Sequence, residues 1–179
     1  GKIYDVNGVA ISQMMKELGA SPQYFGIVPD NYGDLKRVIE EALASHDLVL
    51  TSGSTSAGLG DVIYKIFDEL GEPGVVVHGL KIRPGKPTVA AVINGKLAIG
   101  LPGFPVSAMI AFSVFVQPML LKMMGLRASP KSWSERARLA HAVQAGRGRR
   151  EYIPGVSTTS ISFSPILALP RETSTVVPG

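Results

Sequence analysis

The stretch DLVLTSGSTSAGLGDVIYKIFDEL, residues 47–70, runs from a short apolar segment through a loop of glycine and hydroxyl residues into a helical pattern. Asp47-Leu48-Val49-Leu50-Thr51 is β-branched and leucine-rich, as expected of a strand buried on both faces of a parallel sheet. From Asp61 to Leu70 apolar residues recur at helical spacing, and Gly71 stops the helix. A loop that joins the carboxyl end of a strand to a helix N-terminus presents unpaired N–H groups at the positive end of the helix dipole, so it favours anions, phosphate above all. Glycine and serine also fill ordinary strand-to-helix loops, and this loop matches neither the dinucleotide glycine pattern nor the P-loop. Asp61, at the helix start, either caps the helix or holds a cation that bridges to a phosphate.

Working outward, Asn7 to Gly19 reads as a helix that follows a strand-to-helix junction at Asp5-Val6-Asn7. Tyr24 to Val28 reads as a short β run, and Tyr32 to Ala44 as a helix with Leu35, Val38, Ile39 and Leu43 on one face. Beyond the glycine loop, Val75 to His78 is a strand and Lys81-Ile82-Arg83-Pro84-Gly85-Lys86-Pro87 a rigid basic loop. Thr88–Ile93 and Leu97–Leu101 flank Asn94-Gly95, a strong hairpin signal. Pro102-Gly103-Phe104-Pro105 leads into a long helix ending near Gly125. The apolar run Phe104–Leu121 approaches the length of a membrane span, but Pro105, Ser107, Ser113, Gln117 and Pro118 interrupt it, and it reads as a core helix.

Alternating strands and helices predict a three-layer α/β/α domain on a largely parallel sheet over residues 1–126. A linker at 127–132 and a small, partial β-barrel-like domain at 133–179 follow. In such sheets ligands bind beyond the carboxyl ends of the strands, so the loops at Asp5, Asp30, 51–61, 81–87 and 102–105 are expected to share one crevice.

The chain has 179 residues, 45% hydrophobic and 18% charged, which fits a globular chain with a substantial core. It has no cysteine, which excludes disulfides, thiolate catalysis and Cys-based zinc sites. His46, His78 and His141 are too scattered for a His-rich metal site, and His78 reads as structural. The formal net charge of +4, with Arg147, Arg149 and Arg150 clustered, suits an anionic small molecule as well as nucleic acid. The start of the chain lacks an extended apolar h-region, so a cytoplasmic setting is expected.

Residues 1 to about 126 resemble the third domain of molybdopterin molybdenumtransferases, the MoeA-type family that includes the gephyrin E domain. The motifs fall in order: GKIYDVNG at the start, FGIVPD at 25–30, TSGSTSAGLGD at 51–61, KIRPGKP at 81–87 and GLPGFPVSA at 100–108. The related molybdopterin adenylyltransferases share the fold, the glycine loop and an LPG turn, but RPGKP and PVSA favour the molybdenum-inserting family. Two positions depart from the pattern: Ser54 where the family usually has a second glycine, and Phe104 where it has asparagine. The stretch Gly148-Arg149-Arg150-Glu151-Tyr152 resembles the start of that family's fourth domain.

The resemblance implies insertion of molybdate into adenylylated molybdopterin with release of AMP, assisted by Mg²⁺. It implies that Asp61 and Asp5 hold the Mg²⁺, and that Lys81, Arg83 and Lys86 stabilise charge. Gly53, Ser54, Thr55, Ser56 and Gly58 would supply N–H groups to the terminal phosphate. Gly85, Pro102 and Gly103 would shape the substrate site, and Arg83 with Ser107 would bind the molybdate oxyanion. It also implies a homodimer whose partner completes the site, and an upstream adenylyltransferase as a possible partner. Neither nucleic acid nor a membrane is expected. Tyr4, Phe25 and Phe104 are read as packing residues. An adenylyltransferase and a non-catalytic pterin-binding scaffold are the competing functions.

Overall fold

The computed structural model describes residues 4–53, 60–126, 143–144, 148–155, 167–169 and 175–176; at 60–61, 143–144, 167–169 and 175–176 the backbone alone is described. The elements are helices α1 (Val6–Glu17) and α2 (Tyr32–Ser45), strand β1 (Leu48–Ser52), helix α3 (Gly60–Glu69), and strands β2 (Pro73–His78), β3 (Ile82–Arg83), β4 (Val89–Ile93) and β5 (Lys96–Leu101). Helix α4 (Pro105–Ala111) continues through a π-helical turn (Phe112–Val116) into α5 (Gln117–Met123), and short strands β6 (Val143–Gln144), β7 (Arg150–Ile153), β8 (Leu167–Leu169) and β9 (Thr175–Val176) follow.

The main sheet has the order β1-β5-β4-β2. β1 pairs with β5 in parallel, while β5 with β4 and β4 with β2 are antiparallel. The α/β class is as expected, and the sheet is mixed, because the Asn94-Gly95 turn folds β4 back on β5. Asn94 has φ 50 and Gly95 φ 83. That pair of left-handed residues matches strand twist in a two-residue hairpin, which is why Asn-Gly marks the turn so clearly.

Strand alternation sends side chains to two layers. Val49, Val89, Ala91, Ile93 and Ala98 meet α2 and α3 through Leu35, Ile39, Ile63, Ile66 and Phe67. Leu48, Leu50, Ala90, Ile99 and Leu101 meet α1, α4 and α5 through Ile11, Ala108, Phe112 and Leu120. On β2 the register shifts between Val75 and Val77, so Val75 packs with the first layer and Val77 with the second.

Helix Pro105–Met123 is long and apolar enough to cross a membrane by length and composition. Its buried residues Ala108, Ala111, Phe112, Val116 and Leu120 pack on the sheet. The widened π turn lies just ahead of Pro118, whose ring and missing N–H are incompatible with a regular α turn there.

Two expectations change. Tyr24–Val28 is not a strand: no backbone ladder forms on it, and Gly26 in its middle has φ 86. The basic loop contains a two-residue strand, because β3 pairs in parallel with β7. β7 in turn pairs antiparallel with β8, and β6 with β9. The linker at 127–132 and most of residues 133–179 lie outside the described residues.

Candidate functional site

The carboxyl ends of β1 and β5, the start of β4 and the end of β2 meet at one edge of the sheet: Ser52 faces Leu101, Val89 faces Gly100, and His78 faces Val89. The glycine loop, the basic turn and the Pro102 turn therefore leave the sheet together. Gly53, the basic turn and the Pro102 turn line two adjacent cavities that share Gly103. One, of about 860 Å³, is lined by Asp5, Asp30, Gly53 and Gly103; the other, of about 590 Å³, by Arg83, Lys86, Ser107 and Gly103.

The partition is built of glycine backbone. A Cβ placed on Gly103 would lie 3.4 Å from the Gly53 Cα, at van der Waals contact, so the two backbones pass close together there. A polar knot ties the partition down: the Asn7 amide donates to Ser52 Oγ at 2.7 Å and to the Gly103 carbonyl at 2.8 Å, and Ser52 Oγ donates to the Pro102 carbonyl at 3.2 Å. Sequence reasoning missed Asn7, because an asparagine after Asp5 reads as part of a helix start.

In the smaller cavity the basic turn is shaped by its own backbone. Leu80 N–H and Thr88 N–H both donate to the Lys86 carbonyl at 2.9 Å, and the Thr88 hydroxyl donates to the Gly85 carbonyl at 2.7 Å. Gly85 has φ 112 and lies against Ile82 and Ala111, so the turn rests on α4 through a residue with no side chain. Ile82 packs with Ile110 and Tyr152. Ser107, two residues after the Pro105 that opens α4, lines the same cavity, as do Pro102 and Arg149. Lys81 is exposed and does not line it; its carbonyl accepts the Arg150 N–H at 3.0 Å. Arg149, at the entry to β7, is a lining cation that motif reading left unassigned. Among the described lining residues are Arg83, Lys86 and Arg149, with no carboxylate.

Arg83 is also held from behind, by Glu151 at 3.5 Å on the paired strand β7. The Glu151 side chain is buried and Oε1 has no hydrogen bond, so Arg83 supplies its compensating charge. Arg83→Ala is accordingly expected to cost about 1–2 kcal/mol, more than an exposed cation alone would. Adding Glu151→Gln should recover most of that loss, as measured by urea unfolding of both variants.

Asp5 caps α1. Its Oδ1 accepts the Gly8 N–H at 2.9 Å and its Oδ2 accepts the Tyr24 hydroxyl at 2.6 Å. Each oxygen thus accepts one protein donor, as a helix cap does, and keeps lone-pair capacity for a further partner. Among the described residues no group of three His, Cys, Asp or Glu side chains could hold a metal ion. Ser54, Thr55, Ser56, Gly58 and the Asp61 side chain lie outside the described residues; Asp61 itself falls in the first turn of α3.

The aromatic expectations divide. Phe25 is half-buried against the core and edge-on to His46, with centroids 5.5 Å apart. Tyr4 and Phe104 are 81% and 78% exposed, each at the lip of a cavity, so neither is a packing residue. His78 stacks on Tyr64 at 4.8 Å and borders the cationic cavity.

Residues 1–122 match the family model described as a probable molybdopterin binding domain. The molybdopterin molybdenumtransferase of Nostoc sp. is 37% identical over 136 residues, covering 74% of this chain and 30% of that protein. Molybdopterin molybdenumtransferase 2 of Mycobacterium tuberculosis is 28% identical over 173 residues, 92% of this chain and 42% of that one. The crystal structure of the molybdopterin biosynthesis moea protein from Pyrococcus horikosii superposes with a TM-score of 0.81 at 32% identity, over 99% of this chain and 46% of that chain. The chain thus spans less than half the length of these relatives.

Proposed function

Because this chain belongs to the molybdopterin-binding domain family, we propose that it carries the oxyanion and pterin-phosphate half of a site that inserts molybdate into adenylylated molybdopterin, with AMP as the other product. The observation that carries this reading is the smaller cavity: Arg83, Lys86 and Arg149 gathered with Ser107, and no carboxylate among the described lining residues. A tetrahedral dianion is the guest such a pocket favours, through charge-assisted hydrogen bonds from fixed cations. The larger cavity, one glycine partition away, is the place for the rest of the substrate.

The residues then divide the work. Arg83 is braced by Glu151, so its guanidinium is positioned before ligand arrives, whereas Lys86 extends from a turn held by its own carbonyl. Ser107 offers a hydroxyl near the cations. Asp5 caps α1, lines the larger cavity and keeps lone pairs with which it would join Asp61 in holding Mg²⁺. That ion binds through few side chains and completes its shell with phosphate oxygens and water. When bound, the ion would neutralise phosphate charge. We further propose that the full-length protein works as a homodimer and receives its adenylylated substrate from an upstream adenylyltransferase; the relatives' greater length leaves room for the domains this needs.

Titration of the chain with adenylylated molybdopterin, with and without Mg²⁺, tests the reading. Tight binding that Mg²⁺ strengthens is expected, with Asp61→Asn abolishing the Mg²⁺ effect and leaving the metal-free affinity within about twofold. Molybdate affinity should fall as salt rises and drop about tenfold in Lys86→Ala. Preference for ATP over the adenylylated pterin would assign the chain to the adenylyltransferases instead.

A further inference from the structure

We propose that His78 is the proton-dependent part of the oxyanion cavity: as an imidazolium it joins the cations there and tightens the grip on a tetrahedral dianion, and as a neutral ring it loosens that grip. The inference rests on the oxyanion reading of the cavity and adds its regulation by pH. His78 ends β2, where it faces Val89, and it lines the cavity that Arg83, Lys86 and Arg149 also line. The residue after it brings the strand end beside the basic turn. The Gly79 N–H donates to the Thr88 carbonyl at 2.8 Å, and a Cβ placed on Gly79 would lie 3.5 Å from the Lys86 carbonyl.

The His78 ring is held in place and left open. It stacks on Tyr64 of α3, with centroids 4.8 Å apart and planes inclined by 28°. The residue is exposed, and among the described residues neither ring nitrogen has a hydrogen-bond partner. Neither burial nor an internal hydrogen bond accounts for an imidazole here, so the stack positions a ring whose two nitrogens stay available to a ligand. The direction of approach matters as well. Val77 packs on the α1–α4 side, and His78 meets α3 on the other face of the sheet. The basic turn rests on α4 through Gly85, so His78 reaches the cavity from the layer opposite the turn's support.

Histidine is the side chain whose charge ordinarily changes between pH 5 and 8. The titratable and charged groups around His78 are Tyr64 on α3 and, along the cavity, Arg83, Lys86 and Arg149. Strand β4 sets Val89 beside it and carries no charge. Asp68 of α3 accepts the Val75 N–H at 3.5 Å, nearer the start of β2, and the Asp61 side chain, three residues ahead of Tyr64, lies outside the described residues. No carboxylate is among the described lining residues to neutralise the ring. A positive charge on His78 is opposed by the lining cations while the cavity is empty, and a bound dianion offsets that repulsion. Protonation and oxyanion binding therefore favour each other, so affinity rises as pH falls and binding takes up protons.

The probe is sulfate, a tetrahedral dianion whose charge is constant over this range. Calorimetric titration should show about tenfold tighter binding at about pH 5.5 than at about pH 8, with proton uptake on binding between them. His78→Gln should lose that slope and keep the wild-type affinity at the higher pH within about twofold, whereas His78→Lys should bind tightly at both. A slope that survives in His78→Gln overturns the proposal and leaves the cavity standing, as does wild-type binding that is flat with pH. Lys86→Ala separates the two readings: it should weaken sulfate about tenfold at both pH values. Unchanged affinity in Lys86→Ala overturns the oxyanion reading, and this inference with it.

Discussion

Phe67→Ala is expected to destabilise the protein by about 3–5 kcal/mol, a large share of the about 5–15 kcal/mol that holds a domain of ordinary size folded. Phe67 is fully buried, among the largest side chains in the layer that α2 and α3 make against the sheet. Its neighbours Leu35, Ile39 and Val89 are held by a helix and a strand, so the cavity left by alanine cannot collapse. The functional consequence lies one helix away. Phe67 fixes the axis of α3, whose first turn carries Asp61. Urea unfolding should therefore show the stability loss, and the variant should retain molybdate binding in the cationic cavity, which rests on α4 and β7, while losing the Mg²⁺ response. Unchanged Mg²⁺ response in a variant of that lowered stability would sever Asp61 from the proposed metal role.

Gly8→Ala should have the second largest effect, about 2–4 kcal/mol, as the sum of a lost cap and an overpacked contact. A Cβ at Gly8 would lie 2.3 Å from Asp5 Oδ2 and 2.6 Å from the Tyr24 ring, so the carboxylate that caps α1 must leave. Tyr24→Phe is the control, since it removes only the second donor and leaves the Gly8 N–H on Asp5. The contact also has a pH signature. The hydrogen bond to Asp5, and secondarily burial, hold the Tyr24 phenol above its ordinary 10.0. A group raised on folding contributes stability in full below its unfolded value and loses it as pH climbs through the folded one. Alkaline titration of tyrosinate absorbance should show one high-titrating tyrosine fewer in Gly8→Ala.

Most of the α/β layering was legible because it follows from local signals. Gly19, Gly71 and Gly125 end helices where helical spacing stops, and Asn94-Gly95 announces its hairpin. The motifs at 81–87 and 100–108 mark the cationic cavity, since the lining residues of each lie close together in the sequence. What stayed hidden was non-local. β3 is two residues long and exists only because β7 returns to it, so no periodicity at 81–87 announces a strand. Arg149 enters the site by the same return. Tyr24–Val28 carries a strand's composition, but a ladder needs a neighbour and composition does not supply one. The split into two cavities depends on a backbone approach between Gly53 and Gly103, which linear spacing does not reveal.

The pairing of β3 with β7 bears on the order in which the molecule assembles. Ile82 and Arg150 lie far apart along the chain, whereas β4 and β5 are joined by a single tight turn. Closing the long loop gains its contacts only after the intervening helix and hairpin have condensed, so the β3–β7 pairing that brings Arg149 beside Arg83 and Lys86 forms late in folding. Contacts made last against a finished core are those a partial opening releases first. A cell that synthesises this chain thus holds a folded core before it holds a cationic cavity, and mild denaturation should unmake the oxyanion grip while the Phe67 layer still stands.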